Sequence, residues 1–414
     1  MIRLHRSGFK LQHLETDKDV RQYLELMRVV FGERTGVDKL AQKLIDHHPT
    51  MTLNDYFVIK HGCKIVASVT LIPVTWNIGN AQLNVAELGM AATLPEFRRR
   101  GLIRQLVNEY HRQVLDRGYD LSVLEGIPYF YRQFGYEYAV PLLEETRIRL
   151  EQIPECESEI RIRPFTMKDL SKAIQLLEFS QRKFYVHSVR SPRIWGIQHE
   201  TNIASDPEPF EAFAVEEEGE TIAYFRMRRN PSEKELLLTE VTDVDEPCAR
   251  AILKLLKAQG QKHGLETLVA NVSYQEPFSQ HLVAIGATRR FPAYAWQVRI
   301  ADHAKILWKL KPLFERRLAD SMYRRLTETL IFNLREFIVK MTVEHGEITG
   351  IQKLESSERS PIGFNPLAFA RLVLGDRSRE ELETAYPDCR VDVHYRYLVD
   401  VLFPKLPSYI HSAY

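Results

Sequence analysis

The chain has 414 residues, of which 44% are hydrophobic and 27% are charged. This composition predicts folded domains with sizeable cores and excludes extensive disorder. The 56 lysines and arginines balance 55 aspartates and glutamates, which excludes a general attraction to nucleic acid, so any basic function must be local. No stretch approaches the ~20 apolar residues that cross a bilayer, and we expect no membrane span.

The cysteines and the first residues bear on the cellular compartment. The four cysteines include no Cys-x-x-Cys pair, which favours free thiols over a zinc site or a disulfide framework. The opening stretch MIRLHRSGFKLQHL lacks the apolar core of a signal peptide. We therefore expect a cytoplasmic protein without a metal site.

The first part of the chain alternates helical and strand patterns. Apolar residues at helical spacing predict a helix over residues 19–33, and residues 55–93 predict a β-meander with turns at Gly62 and Gly79. A second helix is predicted over 101–118. A short buried strand and an aromatic turn with a further strand follow it.

A linker-like stretch leads into a weak repetition of this order, which indicates an internal duplication. The last ~110 residues differ and predict a small α+β unit. We therefore predict three domains, at residues 1–150, 151–302 and 303–414. The predicted fold class is α+β (mixed α/β), and each of the first two domains is predicted to have a central mixed sheet flanked by helices.

The stretch LPEFRRRGLIRQL places three arginines and a glycine immediately before the second predicted helix. The N-terminus of a helix has free N–H groups and a partial positive charge, so it attracts anions. Gly101 permits close approach of the backbone to a ligand. Because Arg98, Arg99 and Arg100 oppose the helix dipole, the pattern favours a pyrophosphate site over a solvated arginine cluster. The corresponding TDVDEPCAR of the second repeat is acidic, which predicts no phosphate there.

The segment ATLPEFRRRGLIRQL resembles the acetyl-coenzyme A signature of the GNAT superfamily of N-acetyltransferases. Arg98 and Gly101 match this motif, whereas Ile103 stands where the family usually has glycine or alanine. An RRRG turn followed by a large residue at this position resembles the corresponding turn of the enhanced-intracellular-survival (Eis) branch of the superfamily. That branch joins two tandem GNAT folds, the second without cofactor, to a sterol-carrier-protein-like domain, in agreement with the length and the repeat.

The resemblance implies acetyl-coenzyme A as the co-substrate and assigns residues to it. The pantetheine arm would bind the backbone of Ala91, Ala92 and Thr93. The pyrophosphate would bind Arg98, Arg99, Gly101 and Leu102. The strand LSVLEG would separate from the strand that precedes the basic turn and so admit the thioester.

Acetyl transfer also needs an acid and a base. FYRQFGY resembles the family's Tyr-x-x-x-Gly-Phe/Tyr element, which implies that Tyr131 protonates the coenzyme A sulfur; packing among its aromatic neighbours is the alternative role. For the base, the resemblance implies the C-terminal carboxylate of Tyr414. Glu87 is the rival, because it lies in an apolar strand near the position where histone-type GNAT enzymes carry a catalytic glutamate.

The acceptor implied by the resemblance is a primary amine on a small molecule or a protein, such as an aminoglycoside, a lysine side chain or a polyamine. Carboxylates and aromatic rings suit an amine pocket, and the candidates are Glu33, Asp55, Glu125, Phe31 and Trp76. The Eis branch further implies a homo-oligomer, a hexamer. The alternative function is a non-catalytic protein that binds lipid or coenzyme A and uses the sterol-carrier-like domain.

Overall fold

A computed structural model describes residues 8–142, 144–290, 294–356 and 360–414. Within these ranges the strands form three sheets of eight, seven and five strands. The sheets mix parallel and antiparallel pairs and are flanked by helices, which confirms the predicted α+β class. No helix among the described residues is long and apolar enough to cross a membrane.

The first stretch contains the two predicted helices and the meander. The strand Phe9–His13 and the helix Val37–His47 were not predicted. Thr16 caps the first helix by accepting a hydrogen bond from the Asp19 N–H over 3.2 Å. The elements are β1 (Phe9–His13), α1 (Asp17–Phe31), α2 (Val37–His47), β2 (Tyr56–His61), β3 (Lys64–Ile78), β4 (Ala81–Thr93), α3 (Leu102–Asp116), β5 (Leu121–Leu124), β6 (Glu137–Pro141) and β7 (Glu145–Arg149).

The second stretch largely repeats this order, as the duplication predicted, but it has an additional strand between its first two helices and a further helix before its last two strands. Its elements are β8 (Arg161–Pro164), α4 (Leu170–Gln181), β9 (Val186–Val189), α5 (Pro192–Thr201), β10 (Glu211–Glu217), β11 (Glu220–Asn230), β12 (Glu235–Val241), α6 (Glu246–Lys262), β13 (Thr267–Ala270), α7 (Pro277–Ala284), β14 (Thr288–Arg290) and β15 (Ala295–Ile300).

The third stretch is a small sheet covered by helices, in agreement with the predicted α+β unit. Its elements are α8 (His303–Lys309), α9 (Lys311–Ala319), β16 (Glu328–Asn333), β17 (Ile338–Glu344), β18 (Glu347–Leu354), β19 (Ile362–Gly363), α10 (Pro366–Val373), α11 (Arg379–Ala385), β20 (Arg390–Val391) and α12 (Val393–Leu402).

The first two sheets exchange one strand with each other. The first sheet has the order β1-β2-β3-β4-β5-β15-β6, and β9 joins it at β3; the second has the order β14-β7-β13-β12-β11-β10-β8. Thus β15 enters the first sheet between β5 and β6, and β7 enters the second between β13 and β14. The first two sheets therefore do not separate at residue 150, because β9 and β15 belong to the first sheet and β7 belongs to the second. The domain boundaries at residues 150 and 302 stay a prediction.

The chain after α12 turns back to the first two units. The Tyr409 N–H donates to the Val186 carbonyl oxygen over 3.0 Å, and Tyr414 is buried. This path brings the last residues of the chain to the junction of the first and second sheets.

Candidate active site

Strands β4 and β5 separate part-way along their length. Their parallel pairing runs from Val85–Leu121 to Glu87–Val123, while β4 continues to Thr93. The residues of β4 beyond Glu87 have no strand partner on this side among the described residues. This opening agrees with the separation expected for a thioester site, and it places Glu87 where the two strands diverge.

The edge of β4 beside the opening contains a β-bulge. The register of β3 against β4 shifts between Ser68–Ala92 and Thr70–Gly89, and Met90 takes a left-handed φ of 51°. Ala91, Ala92 and Thr93, predicted to bind pantetheine through their backbone, therefore follow the bulge on the unpaired edge.

The basic turn between β4 and α3 has the geometry of an anion site. Arg99 and Gly101 adopt left-handed φ values of 62° and 75°, and α3 begins at Leu102 without a side-chain cap or an acidic residue in its first turn. The first N–H groups of the helix are therefore available to a ligand. Arg98, Arg99 and Arg100 are exposed beside them, whereas Ile103 is half-buried and packs against the core.

The equivalent turn of the second unit is already occupied by carboxylates. Asp245 caps α6 by accepting from the Cys248 N–H over 3.0 Å, and Glu246 lies in the first turn of the helix. Both groups would repel phosphate. The contrast with the uncapped α3 agrees with the prediction that the second unit lacks this ligand.

Tyr131 lies after β5, on the short helical turn at residues 130–134. Its ring is buried, and a phenol hydroxyl at this place can donate a hydrogen bond to a ligand. Burial, with a smaller contribution from Tyr294, raises the pKa of Tyr131 to about 12. A phenol with this pKa stays protonated at neutral pH, as a proton donor must.

Gly126 was not predicted but is needed beside Tyr131. A Cβ atom there would lie 2.7 Å from Leu124 Cδ1 and 2.8 Å from Tyr131 Cδ2. The Gly126 carbonyl oxygen also accepts hydrogen bonds from the Tyr294 hydroxyl and, over 2.9 Å, from Gln297 Nε2. Since Tyr294 and Gln297 come from the exchanged segment at β15, sequence reasoning that placed them in another domain could not connect them to this turn.

Glu87 and Tyr414, the two predicted candidates for the base, are in direct contact. The Tyr414 hydroxyl donates to Glu87 Oε1 over 2.8 Å, and Glu87 Oε2 is buried without a partner among the described residues. Burial raises the pKa of Glu87 to about 8; the charge of Glu125 adds to this, and the Tyr414 hydrogen bond opposes it. The contact involves the phenol of Tyr414, whereas its main-chain oxygen accepts from Gln198 Nε2 over 2.8 Å.

Glu125 directly follows β5 and faces a cavity of about 380 Å³ between the first and second units. Desolvation by the surrounding protein, with a contribution from the charge of Asp206, raises the pKa of Glu125 to about 7, although the side chain is exposed at the cavity. The acidic residues that line the cavity are Glu125, Glu144, Asp206, Glu208 and Glu240. Arg228 pairs with Asp206 over 2.9 Å and Arg226 with Glu240 over 3.3 Å, but Glu125 and Glu208 have no ion-pair partner among the described residues.

Of the five residues predicted for an amine pocket, Glu125 alone belongs to the lining of this cavity. Asp55 is buried and is bound by Thr52 and Arg117, and Trp76 packs edge-on against Trp296 in the core. The other two, Glu33 and Phe31, are exposed near the end of α1. The described ranges contain no cluster of three metal-binding side chains.

The model of the acetyltransferase (GNAT) domain family matches residues 13–139. These residues are similar to a GNAT acetyltransferase domain. The matched segment includes the divergent strands, the basic turn and Tyr131, so the expected resemblance is confirmed where the site lies. The N-acetyltransferase Eis of Mycobacterium bovis, and that of Mycobacterium tuberculosis, is 39% identical over 90 residues, which cover 20% of this chain and 22% of the relative.

Solved structures extend the likeness to the whole fold. The GCN5-related N-acetyltransferase from Anabaena variabilis superposes with a TM-score of 0.72 at 14% identity, over 98% of this chain and 100% of that one. Eis1 from Mycobacterium abscessus superposes with a TM-score of 0.66 at 14% identity, again over 98% and 100%. The Eis-like arrangement predicted from the sequence is therefore confirmed as a fold.

Proposed function

We propose that this GNAT protein transfers an acetyl group from acetyl-coenzyme A to a primary amine. The observation that carries the proposal is the line of groups along the opening between β4 and β5. The anion-binding turn lies at one end of β4, Glu87 lies where the strands diverge, and Glu125 begins the acidic cavity beyond β5. A long phosphorylated thioester and a cationic acceptor would approach such a site from opposite ends.

The cofactor end is assigned from backbone geometry and charge. The free N–H groups at the start of α3, with Arg98 and Arg99, would bind the pyrophosphate, and the unpaired edge at Ala91–Thr93 would hydrogen-bond the pantetheine arm. Gly101 and Leu102 would contribute N–H groups, since the Leu102 side chain is buried in the core. When bound, acetyl-coenzyme A supplies the acyl group and a thiolate leaving group.

The acceptor end favours a molecule that carries more than one positive charge. Glu125 and Glu208 have no cation to balance them within the described residues, and the charge of Asp206 already disfavours ionisation of Glu125. An ammonium group in the cavity would relieve this repulsion. A polyamine-like or aminoglycoside-like acceptor fits this charge pattern better than a neutral amine does.

The proposed chemistry is direct attack of the free amine on the thioester carbonyl carbon. The C–N bond forms as the C–S bond breaks, Glu87 accepts the proton that the nitrogen loses, and Tyr131 donates a proton to the departing sulfur. The pKa of about 8 suits Glu87 to this role, because a base is most effective when its pKa lies near the working pH. The carboxylate of Tyr414 stays the second candidate for the base, since Tyr414 is buried at the same place.

The alternative of a lipid-binding protein receives no support from the third unit. The rings of Phe314, Phe332, Phe369 and Phe403 pack 5.2–6.0 Å apart in its interior, as in an ordinary aromatic core. A homo-oligomeric assembly and a cytoplasmic location stay predictions.

The decisive experiment is a thiol-release assay with acetyl-coenzyme A and a panel of polyamines, aminoglycosides, lysine peptides and neutral amines. We expect turnover that is greatest with multiply charged amines and that is lost in Tyr131→Phe. Absence of turnover with every amine would overturn the proposal. Turnover that Tyr131→Phe leaves unchanged would remove Tyr131 from the mechanism.

A further inference from the structure

The last seven residues, Ser408–Tyr414, form a terminal segment that binds along the second unit. The Tyr409 hydroxyl donates to the Asn271 carbonyl oxygen over 3.1 Å, and the Ser188 hydroxyl donates to the His411 carbonyl oxygen over 2.8 Å. His411 Nδ1 also lies 3.1 Å from Gln181 Nε2. The segment is thus anchored by side chain and main chain along its length.

The binding place of the segment corresponds to the cofactor opening of the first unit. In the second sheet, parallel pairing of β12 with β13 ends at Leu238–Ala270, just as pairing of β4 with β5 ends at Glu87–Val123. Asn271, the next residue after β13, contacts Tyr409. The terminal segment therefore lies at the opening that the duplicated fold would use for a cofactor.

Gln198 is the buried contact that reaches the last residue. Its Nε2 donates to the main-chain oxygen of Tyr414 over 2.8 Å and to Ser412 Oγ over 3.2 Å. Its Oε1 accepts from Arg190 Nη1 over 2.9 Å and from Arg226 Nη2 over 2.8 Å. An arginine has only donors, so the two guanidinium groups fix the amide with its oxygen toward them and its nitrogen toward Tyr414.

The arginines are themselves held by a buried carboxylate. Glu240 lies 2.9 Å from Arg190 Nη2 and 3.3 Å from Arg226 Nε, and these charges hold the pKa of Glu240 low despite its burial. Trp195 packs under the Arg190 guanidinium at 3.9 Å. This cluster keeps Gln198 in one orientation, because every donor around its oxygen is fixed by packing and charge.

Ser205 completes the contact with the end of the segment. Its hydroxyl oxygen accepts from the Ala413 N–H over 3.0 Å and from the Tyr414 N–H over 3.3 Å. Together, Gln198 and Ser205 bind both the N–H and the main-chain oxygen of Tyr414. The phenol of Tyr414 then extends to Glu87 in the first unit.

We propose that Gln198 and Ser205 are positioning residues for the transfer reaction, and that the second unit serves as the binding site for the terminal segment. By fixing the main chain of Tyr414, these two residues hold its phenol against Glu87 and so set the proton affinity of that carboxyl. This inference rests on the proposed function for its catalytic consequence. The binding of the terminal segment by Gln198 and Ser205 does not depend on the proposed function.

The first test measures hydrogen exchange in the peptide that contains residues 408–414. Gln198→Glu keeps an oxygen for both arginines but replaces the donor to Tyr414 with a second acceptor. The variant loses a buried hydrogen bond and places a carboxylate oxygen opposite the main-chain oxygen of Tyr414. We therefore expect amide exchange in this peptide to accelerate about tenfold or more. The control is Gln280→Glu, which adds the same charge at an exposed site of α7. Equal exchange in the two variants would overturn the proposal.

Ser205→Ala provides an independent variant if Gln198→Glu does not fold. It removes the acceptor of two N–H groups without adding charge, and we expect faster exchange in the same peptide. Unchanged exchange in a folded Ser205→Ala protein would contradict the role of Ser205.

The second test separates positioning from general stability. If Gln198 acts through Tyr414, Gln198→Glu lowers kcat in the parent chain but has little further effect in Tyr414→Phe, and it moves the pH dependence of kcat/KM. Equal fold-losses in both backgrounds would show that Gln198 acts elsewhere. Because exchange needs no turnover, faster exchange in a protein without acetyltransferase activity would retain the binding role and reject the proposed function alone.

Discussion

The hydroxyl of Tyr414 donates a hydrogen bond to Oε1 of Glu87 over 2.8 Å, although 327 positions separate the two residues in the chain. The contact joins the two residues whose carboxyl groups are rival candidates for the base, but it does so through the phenol of Tyr414. It also gives each a distinct physical role, since a phenol that donates to a carboxylate stabilises the ionised carboxylate. The relationship makes the choice between Glu87 and the Tyr414 carboxylate open to direct experiment.

Glu87→Gln tests the base. We expect kcat to fall by about 10²–10⁴-fold, the contribution of a positioned general base. In the parent protein kcat/KM should rise with pH through about 8 as Glu87 loses its proton, and this rise should disappear in the variant. Tyr414→Phe is the matched variant: it removes the donor, so the rise should move to higher pH. A Glu87→Gln enzyme that retains the rise would assign the base to the Tyr414 carboxylate.

Ionisation of Glu87 at rising pH should increase kcat/KM but decrease the stability of the folded protein. The pKa of Glu87 is raised from 4.5 to about 8 in the folded protein, so between these pH values the unfolded chain releases a proton that the folded chain keeps. The free energy of unfolding therefore falls as pH rises through this window. Thermal melts at about pH 5 and pH 9 should show that Glu87→Gln loses less stability than the parent protein does, because the amide does not ionise. Equal losses would contradict a buried, neutral Glu87.

Removal of both phosphate-facing arginines should weaken cofactor binding. We expect Arg98→Ala with Arg99→Ala to raise the KM for acetyl-coenzyme A about tenfold or more, since each charge-assisted hydrogen bond contributes ~1.5–3 kcal/mol. The effect on kcat should be smaller, because these contacts are equal in the ground and transition states. Arg112→Ala is the control, as Arg112 is an exposed residue of the same helix that pairs with Glu109 and Asp116. An unchanged KM would reject the phosphate assignment.

Gly126→Ala should displace the proton donor. The new methyl group would lie 2.8 Å from Tyr131 Cδ2 and 2.7 Å from Leu124 Cδ1, so the ring or the turn must move. We expect kcat to fall at least about tenfold, because small displacements of a catalytic group are costly. Gly350→Ala in the third unit, where the nearest atom is 4.0 Å away, should leave kcat unchanged. Full activity of Gly126→Ala would argue that Tyr131 packs without catalysing.

The strand exchange predicts that the first unit does not fold alone. A fragment of residues 1–150 lacks β15, which pairs with both β5 and β6, and carries β7 without its partners. We expect this fragment to show no cooperative thermal transition by circular dichroism, because unpaired strand edges leave buried polar groups unsatisfied. Co-expression with residues 151–414 should restore the transition. A stable, cooperative fragment would contradict the exchange.

The sequence by itself determined the local features of this protein. Periodicity identified α1, α3 and the meander, and three arginines before Gly101 predicted an anion site, because both signals are local in the chain. The acidic start of α6 likewise marked the second unit as different. The motif around Tyr131 placed that residue beside the opening of the sheet, although its role there stays a prediction.

The tertiary structure decided which distant groups meet. Strands β7 and β15 are only 5 and 6 residues long, and so short a run does not specify which sheet accepts it. Their exchange depends on packing between two similar units. The side chain of Tyr414, rather than its terminus alone, reaches Glu87 because Gln198 and Ser205 bind its main chain. Neither outcome has a local signal, since hydrogen bonds between residues far apart in sequence are selected by the whole fold and not by the residues beside them.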